Sequence, residues 1–188
     1  YIINNDKIGN RIKNILITKA KEGVKVRLLY DDVGSWSLPK KYINELREAG
    51  VEDYPFMEVK FPLLTSKVNY RNHRKIVVVD GMVAYLGGMN IADRYIEGSR
   101  RLGQWHDTLL QIEGEAVHSL QVIFLLDWYF VTGDIVNNRT LYFPEIKVTN
   151  YHPLQIVTSG PDSDWASIMQ VFFHAITRAT HHRYISSP

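Results

Sequence analysis

The pair His73 and Lys75 is the strongest indication of chemistry in this chain. Both residues stand at the start of an apolar run that ends at Val79. An imidazole and an ammonium group lose hydration free energy on an apolar strand, so a strand that served only the core would not favour them. A neutral imidazole can attack phosphorus and become phosphohistidine, while a lysine within reach neutralises charge on the phosphoryl oxygens. The pair therefore predicts a phosphoryl-transfer site in which His73 is the nucleophile.

Four more residues follow the pair at fixed intervals. They are Asp80, Gly87, Gly88 and Asn90, which complete the pattern HxK, four residues, Asp, six residues, GGxN. Asp80 and Gly81 separate two apolar runs, and Asp-Gly in that position predicts a type I′ hairpin turn. Asp80 belongs to the catalytic motif, but its place in the turn favours a structural role. The two glycines can also simply end a strand, and Asn90 can equally cap a following helix.

The predicted turn sets a register for the hairpin. If the loop has two residues, His73 lies opposite Gly88 and Lys75 lies opposite Leu86. Opposed residues share a face, and so do alternate residues along a strand. His73, Lys75, Gly88 and Asn90 should then point the same way, with space above the imidazole at Gly88 and an amide N–H of Asn90 directed at a phosphoryl oxygen. Gly88 and Asn90 are therefore predicted to bind the substrate phosphate, unless a bulge or a longer loop shifts the register.

Asp107 is the candidate residue for orienting His73. It ends the run Trp105-His106-Asp107, and a carboxylate that bonds the second nitrogen of a catalytic histidine fixes its tautomer. The alternative is an ordinary acid at the edge of a strand. His106 receives no role.

Other chemistries find little support in the sequence. There is no P-loop, GxGxxG, GxSxG or HExxH motif. His181 and His182 are better explained as partners of a helix dipole than as metal ligands. No metal or other cofactor is predicted.

The elements that must position the motif alternate along the first third of the chain. The predicted order is a strand at 1–3, a helix capped by Asp6 and stopped by Gly23, a strand at 24–30, a helix capped by Ser37 and stopped by Gly50, and a strand at 51–56. This alternation predicts an α/β fold, with a largely parallel β-sheet and helices on both faces.

The later part of the chain supplies the hairpin and further helices. A strand is predicted at 107–112, a helix with an apolar stripe from Val117 to Val131, a short strand at 154–158 and a helix at 168–179. The last residues, from Tyr184, echo the sequence at Tyr1. Residues 1–150 are therefore predicted to form one repeat, and residues 151–188 the start of a second.

Composition restricts the class of protein. The chain has 188 residues, with 45% apolar and 22% charged side chains, which is ordinary for a globular domain. It has no cysteine, which excludes disulfides and thiolate metal sites. The longest apolar run, 122–131, is too short to span a membrane and is interrupted by Asp127. A buried helix is expected there.

Positive charge is concentrated around the motif. The chain carries a net charge of +2, yet residues 67–101 contain seven basic and three acidic side chains. This excess indicates either attraction of an anionic substrate or a solvated basic loop. The preceding loop, 57–72, mixes apolar and basic residues, so it can either contact lipid or cover the core.

The motif resembles the HxKxxxxDxxxxxxGGxN signature of the phospholipase D superfamily. Segments along the whole chain are similar to those of bacterial cardiolipin synthases: Tyr1 to Asp6, Gly23 to Arg27, Tyr30 to Ser35, Asn69 to Lys75, Trp105 to Thr108, Asp127-Trp128 and Ser159 to Pro161.

The resemblance implies a phospholipase D-like α/β fold and an enzyme built of two repeats that share one site. One histidine attacks phosphatidylglycerol and releases glycerol, and the other protonates the leaving group and activates a second phosphatidylglycerol. It also implies that His73 lies in the first, nucleophilic motif, that no cofactor is needed, and that the enzyme acts at the bacterial cell membrane, where full-length relatives usually carry anchoring segments.

This sequence departs from that pattern in having one HxK motif. A single motif supplies a nucleophile or an acid, but not both, so the chain alone is expected to be inactive. Its partner is the second repeat of a longer chain or a second copy in a homodimer. A phospholipase D-like hydrolase of phospholipid or nucleic acid, and a repeat that only scaffolds, are the competing interpretations.

Overall fold

Two small β-sheets and a set of helices make up the residues that the computed structural model describes, which are 1–58, 71–100, 103–147, 152–160 and 165–182. In chain order the elements are α1 (Lys7–Lys21), β1 (Arg27–Asp31), a 3₁₀ turn (Val33–Ser35), α2 (Lys40–Glu48), β2 (Glu52–Phe56), β3 (Ile76–Val79), β4 (Val83–Gly87), α3 (Arg94–Glu97), β5 (Leu109–Glu113), α4 (Ala116–Thr132), α5 (Arg139–Tyr142) and α6 (Ser167–Thr177). The mixed composition confirms the predicted α/β class, but the sheet is not largely parallel as predicted, because only β1 and β2 pair in parallel while β3, β4 and β5 form a separate antiparallel sheet.

Helix α1 begins and ends where its sequence predicts. The carboxylate of Asp6 accepts a hydrogen bond of 3.0 Å from the N–H of Gly9, as an N-cap residue does. Gly23 follows the helix with a φ of +91°, a conformation that glycine adopts without steric cost.

Helix α2 begins later than predicted. Its N-cap is Pro39 in extended conformation, and not Ser37. Ser35 accepts a bond from the N–H of Leu38 and so extends the preceding 3₁₀ turn towards the helix. Ser37 therefore lies in the connection between the two elements. Gly50 follows the end of α2 with a φ of +91°, as expected for a helix stop.

The parallel sheet consists of β1 and β2, with Arg27 opposite Glu52 and Asp31 opposite Phe56. Asp53 faces α2, where it bonds Arg47, while Tyr54 packs edge-on against Trp128 of α4. Successive strand residues point to opposite faces, so the predicted helices on both faces are present here. Its core cluster contains Ile3, Tyr30, Tyr42, Leu46 and Val51.

The antiparallel sheet contains the predicted hairpin in a shifted register. Asp80 and Gly81 both have positive φ, and the N–H of Met82 donates to the carbonyl of Val79 at 3.0 Å, so the turn prediction was right. The strands, however, pair Val79 with Val83. Met82 is thus an extra residue next to the turn, and it moves every partner by one position. The predicted pairing of Lys75 with Leu86 is wrong, because Leu86 lies opposite Ile76.

Helix α4 covers one face of this second sheet. Ala84, Ile112, Val117 and Leu120 form the buried cluster between them. The expectation of a buried helix holds for that side only, since Leu126 and Phe130 are more than 60% exposed.

The C-terminal part is less regular than predicted. Residues 152–160 form no strand, although 154–158 were expected to. A short apolar run becomes a strand only when a neighbour satisfies its N–H and C=O groups. Helix α6 is present, but none of its residues is buried. No described helix is long and apolar enough to cross a membrane.

Candidate active site

The segment 71–75 carries the predicted nucleophile into the hairpin. Its alternate residues Asn72 and Arg74 bond the carboxylate of Asp127 in α4, at 2.9 Å and 2.5 Å. His73 and Lys75 make none of these inward contacts and meet at the ring of Tyr1 instead. The structure therefore brings the two motif residues together and holds them through their neighbours in the chain.

Tyr1 is the surface on which His73 and Lys75 meet. The imidazole stacks on the phenol ring with centroids 4.2 Å apart and planes at 27°. The Nζ atom of Lys75 lies 4.7 Å from the same ring centroid and donates a hydrogen bond of 2.8 Å to the carbonyl of His73. An ammonium group and an imidazole are thus arranged around one aromatic ring, at the mouth of the hairpin.

The surroundings favour the neutral form of His73. Burial lowers the pKa of its imidazole, and the positive charges of Lys75 and Arg71 lower it further, against a smaller opposing effect of Asp31. The pKa of Lys75 is also lowered by burial, while the charges of Asp107 and Asp31 oppose that shift. A neutral imidazole beside a cation is the protonation state that attack on an anionic phosphodiester requires.

Gly88 contacts Asp107 and not the predicted neighbour, His73. A Cβ atom at this position would lie 2.5 Å from the Oδ2 atom of Asp107, and the N–H of Gly88 donates to Oδ1 of the same carboxylate at 3.3 Å. The space at Gly88 is therefore filled by Asp107 and is not left open above His73. The strand pairing ends at Ile76 and Leu86, so it does not set His73 opposite Gly88.

Asp107 contacts the glycine turn and not the imidazole. Besides Gly88, its carboxylate accepts bonds from Trp105 Nε1 at 3.1 Å and from the N–H of Thr108 at 2.7 Å. No hydrogen bond joins it to His73 in the described part of the chain. Asp107 acts on the pair electrostatically, because its negative charge opposes the lowering of the Lys75 pKa by burial.

Asn90 joins the motif to the start of the chain. Its Oδ1 atom accepts the N–H of Ile2 at 3.0 Å, and its Nδ2 atom donates to the hydroxyl of Tyr95 at 2.6 Å. These bonds support the parallel bridge between Ile3 and Ile91. The alternative helix-cap role is wrong, since the N-cap of α3 is Asp93, while phosphate binding by Asn90 stays a prediction. Asp80 lies at the tip of the hairpin, as the turn prediction required.

A second acid, Asp31, holds the first residue of the motif segment. It is 2% exposed and ends β1. Its Oδ2 atom accepts from Arg71 Nε at 3.2 Å and Nη2 at 3.1 Å and from the N–H of Gly34 at 2.7 Å. The N–H of Asn72 donates to the other oxygen at 3.3 Å. Asp31 therefore ties the segment to the carboxyl end of the parallel sheet.

Two of the positive charges around the motif are paired with acids. Arg71 forms an ion pair with Asp31, and Arg74 forms one with Asp127. Both arginines had contributed to the predicted attraction of an anion. In the structure both arginines hold the segment, while Lys75 lies beside His73 without a carboxylate partner among the described residues.

Sequence reasoning did not predict three residues of the site, which are Tyr1, Asp31 and Asp127. The position of Asp31 at the end of a predicted parallel strand could have indicated a site residue, because ligand-facing residues gather at the carboxyl ends of parallel strands. Asp127 gave a weaker indication, as the single acid in an apolar helix. Nothing in the sequence linked Tyr1 to His73. The described residues contain no group of three or more side chains that could hold a metal ion.

A histidine beside a lysine, at the entry to a glycine-terminated hairpin of an α/β unit, is the arrangement expected of a phospholipase D-like domain. The family described as "Cardiolipin synthase, PLD-like domain" matches residues 1–128. This chain belongs to that family.

Three relatives match the whole of this chain. They are cardiolipin synthase of Alkalihalophilus pseudofirmus at 50% identity, cardiolipin synthase 2 of Bacillus cereus at 48% and cardiolipin synthase 2 of Staphylococcus epidermidis at 42%. The chain covers 38%, 37% and 39% of these proteins respectively. It thus spans less than two fifths of the length of the relatives that it matches.

Proposed function

We propose that this chain supplies one half of the active site of a phosphatidyltransferase of the cardiolipin synthase type. The observation that carries the proposal is the imidazole of His73 held beside the ammonium group of Lys75, in surroundings that lower the pKa of the imidazole. The similarity to cardiolipin synthases along the whole chain supports the choice of substrate class. Residues 1–150 are assigned to the first repeat and residues 151–188 to the start of a second.

The proposed reaction proceeds in two displacements at phosphorus. An imidazole nitrogen of His73 attacks the phosphodiester of phosphatidylglycerol and forms an N–P bond as the P–O bond to glycerol breaks. A histidine from the other half-site donates the proton with which glycerol leaves. That histidine then removes a proton from the hydroxyl group of a second phosphatidylglycerol, whose oxygen attacks phosphorus. The N–P bond breaks, cardiolipin forms and His73 is regenerated.

Lys75 stabilises both transition states. Negative charge grows on the phosphoryl oxygens during each displacement, and a preorganised ammonium group in a partly dehydrated site stabilises it strongly. Direct contacts of Gly88 and Asn90 with phosphate, which the motif suggests, would require their bonds to Asp107 and Tyr95 to be exchanged for bonds to substrate.

The proposal implies three partners. One is an anionic phospholipid, phosphatidylglycerol. Another is the surface of the bacterial cell membrane that contains it. The third is a matching half-site, from a second repeat of the longer protein or from a second copy of this chain. Because one HxK motif cannot be nucleophile and leaving-group acid at once, the 188-residue chain on its own should be inactive.

Product analysis tests the proposed reaction. The complete protein that contains this domain is incubated with phosphatidylglycerol vesicles, with His73→Ala as control. Cardiolipin and glycerol from the wild type alone would support the proposal. Phosphatidic acid and glycerol would identify a phospholipase D-like hydrolase, and absence of any product would favour a scaffold or another diester such as nucleic acid.

A second experiment tests whether one HxK motif is enough for turnover. The 188-residue chain is purified, its mass in solution is measured by light scattering, and turnover is assayed in the same vesicles. Turnover by a demonstrated monomer would refute the requirement for a second motif.

A further inference from the structure

One carboxylate contacts the residues on both sides of His73. Asp127 lies in α4 with its side chain 15% exposed. Its Oδ2 atom accepts from Asn72 Nδ2 at 2.9 Å, and its Oδ1 atom accepts from Arg74 Nη1 at 2.5 Å. The oxygen atom of the Asn72 side chain in turn accepts the N–H of Arg74 at 2.9 Å. The side chains of Asp127, Asn72 and Arg74, together with the backbone N–H of Arg74, form a closed hydrogen-bonded network through the two residues that flank His73.

The segment 71–75 depends on side-chain bonds for its orientation. It precedes β3 and belongs to neither sheet, so no strand ladder determines which way its residues point. Alternate residues of an extended chain point to opposite sides. Drawing Asn72 and Arg74 towards α4 therefore turns His73 and Lys75 towards Tyr1.

We propose that Asp127 is a positioning residue, which orients His73 and Lys75 by holding Asn72 and Arg74. The effect of Asp127 on catalysis rests on the proposed phosphatidyl transfer, whereas the orientation of the His73 imidazole can be observed without any substrate. Arg74, the residue between the histidine and the lysine of the motif, then has a structural role of its own, because it binds Asp127. A misplacement of about 1 Å in a reacting group can lower a rate by roughly a hundredfold, so this hydrogen-bonded network should control kcat.

The chain offers a matched control in Asp53. This carboxylate is also paired with an arginine, since it accepts from Arg47 Nε at 2.7 Å and Nη2 at 3.0 Å, and its side chain is fully buried. It takes no part in the contacts of 71–75. Loss of Asp53 weakens the fold without touching the motif segment, so it separates general destabilisation from loss of orientation.

The kinetic experiment compares Asp127→Ala, Asp127→Asn and Asp53→Ala in the complete protein, with phosphatidylglycerol vesicles. We expect Asp127→Ala to lower kcat by about 10- to 100-fold, with KM within about twofold of the wild type. Asp127→Asn should lose less, because an amide oxygen still accepts one bond. Asp53→Ala should keep kcat within about twofold. Equal losses of kcat in Asp127→Ala and Asp53→Ala, or none in a folded Asp127→Ala, would overturn the proposal.

A spectroscopic measurement tests the same proposal without substrate. In the wild type, stacking on Tyr1 should shift the ring protons of His73 upfield, which NMR of histidine-labelled protein detects; His73→Asn assigns the signal. Asp127→Ala should move it towards the position of a free histidine, and Asp53→Ala should leave it in place. If Asp127→Ala does not fold, the signal of Asp127→Asn decides, because an unchanged shift and an unchanged kcat refute the positioning role. Failure of the wild type to form cardiolipin refutes only the proposed function.

Discussion

The parallel and antiparallel parts of this molecule treat charged side chains differently. In and beside the parallel pair β1–β2, guanidinium groups meet carboxylates: Arg27 with Glu52, Arg47 with Asp53 and Arg71 with Asp31. At the entry to the antiparallel sheet, the ammonium group of Lys75 bonds a backbone carbonyl and packs on Tyr1. No carboxylate lies within ion-pair distance of it among the described residues.

This difference separates charges that hold the structure from a charge available to substrate. A buried carboxylate that accepts several hydrogen bonds from one arginine fixes the relative position of two elements, and removing either partner leaves the other charge uncompensated. A cation without a carboxylate partner keeps its capacity to stabilise an incoming anion. Arginines paired with carboxylates, including Arg74 with Asp127 at the entry to the antiparallel sheet, therefore hold the structure, whereas Lys75 remains available for chemistry.

The comparison predicts the largest effect at His73. His73→Asn removes the attacking nitrogen while keeping a polar side chain of similar size, so transfer should fall by at least about a thousandfold. The measurement is cardiolipin formation by the complete protein. His106→Asn is the matched control, because His106 is exposed and has no assigned role. Appreciable turnover by His73→Asn would mean that the nucleophile lies elsewhere.

Replacement of the unpaired cation should have the next largest effect. Lys75→Met is expected to lower kcat by about 100-fold, as loss of one transition-state donor does. It should also move the acid limb of the pH profile to higher pH. The charge of Lys75 lowers the pKa of His73, so its removal raises that pKa, and the neutral nucleophile then appears only at higher pH.

A pH profile of kcat/KM for both proteins measures this shift. Lys41→Met provides the control, since Lys41 is an exposed lysine on α2. An acid limb that stayed in place, or moved to lower pH, would contradict the electrostatic coupling of Lys75 to His73.

A smaller effect is expected at Asp107, where two roles can be told apart. The charge of Asp107 raises the pKa of Lys75, so Asp107→Asn should lower that pKa, which an NMR titration of Lys75 measures. Because Asp107 bonds Gly88 and not His73, kcat near neutral pH should fall by less than about tenfold. A loss as large as that of His73→Asn would restore the role first predicted for Asp107, that of orienting the imidazole.

The smallest effect on activity is expected in the parallel region. Asp53→Ala leaves the Arg47 guanidinium without its carboxylate partner, which should lower the free energy of unfolding by about 2 kcal/mol. Half of the Arg47 side chain is exposed, and water compensates it in part. Denaturant unfolding gives the stability, and the transfer assay should remain close to wild type below the melting temperature. A loss of kcat without loss of stability would show that this region also serves chemistry.

Local sequence determined a large part of this fold. Asp6 and Gly23 mark the ends of α1, Asp80-Gly81 forms the hairpin turn, and apolar periodicity locates α4 and α6. These predictions succeed because each depends on a few neighbouring residues and on backbone conformations that only certain side chains favour. The HxK spacing likewise predicted that His73 and Lys75 lie together, as they do at the ring of Tyr1, and the role of His73 as nucleophile stays a prediction.

The site around that nucleophile was decided by tertiary structure. One extra residue, Met82, shifted the hairpin register, and turn chemistry alone does not determine whether such a bulge follows. The bonds that orient His73 join Arg71 to Asp31 and Arg74 to Asp127, residues 40 and 53 positions apart in the chain. A sequence determines that acids and bases are present. Which of them pair, and which remain available to substrate, depends on the distances that packing creates, because Coulomb and hydrogen-bond energies act through space and not along the chain.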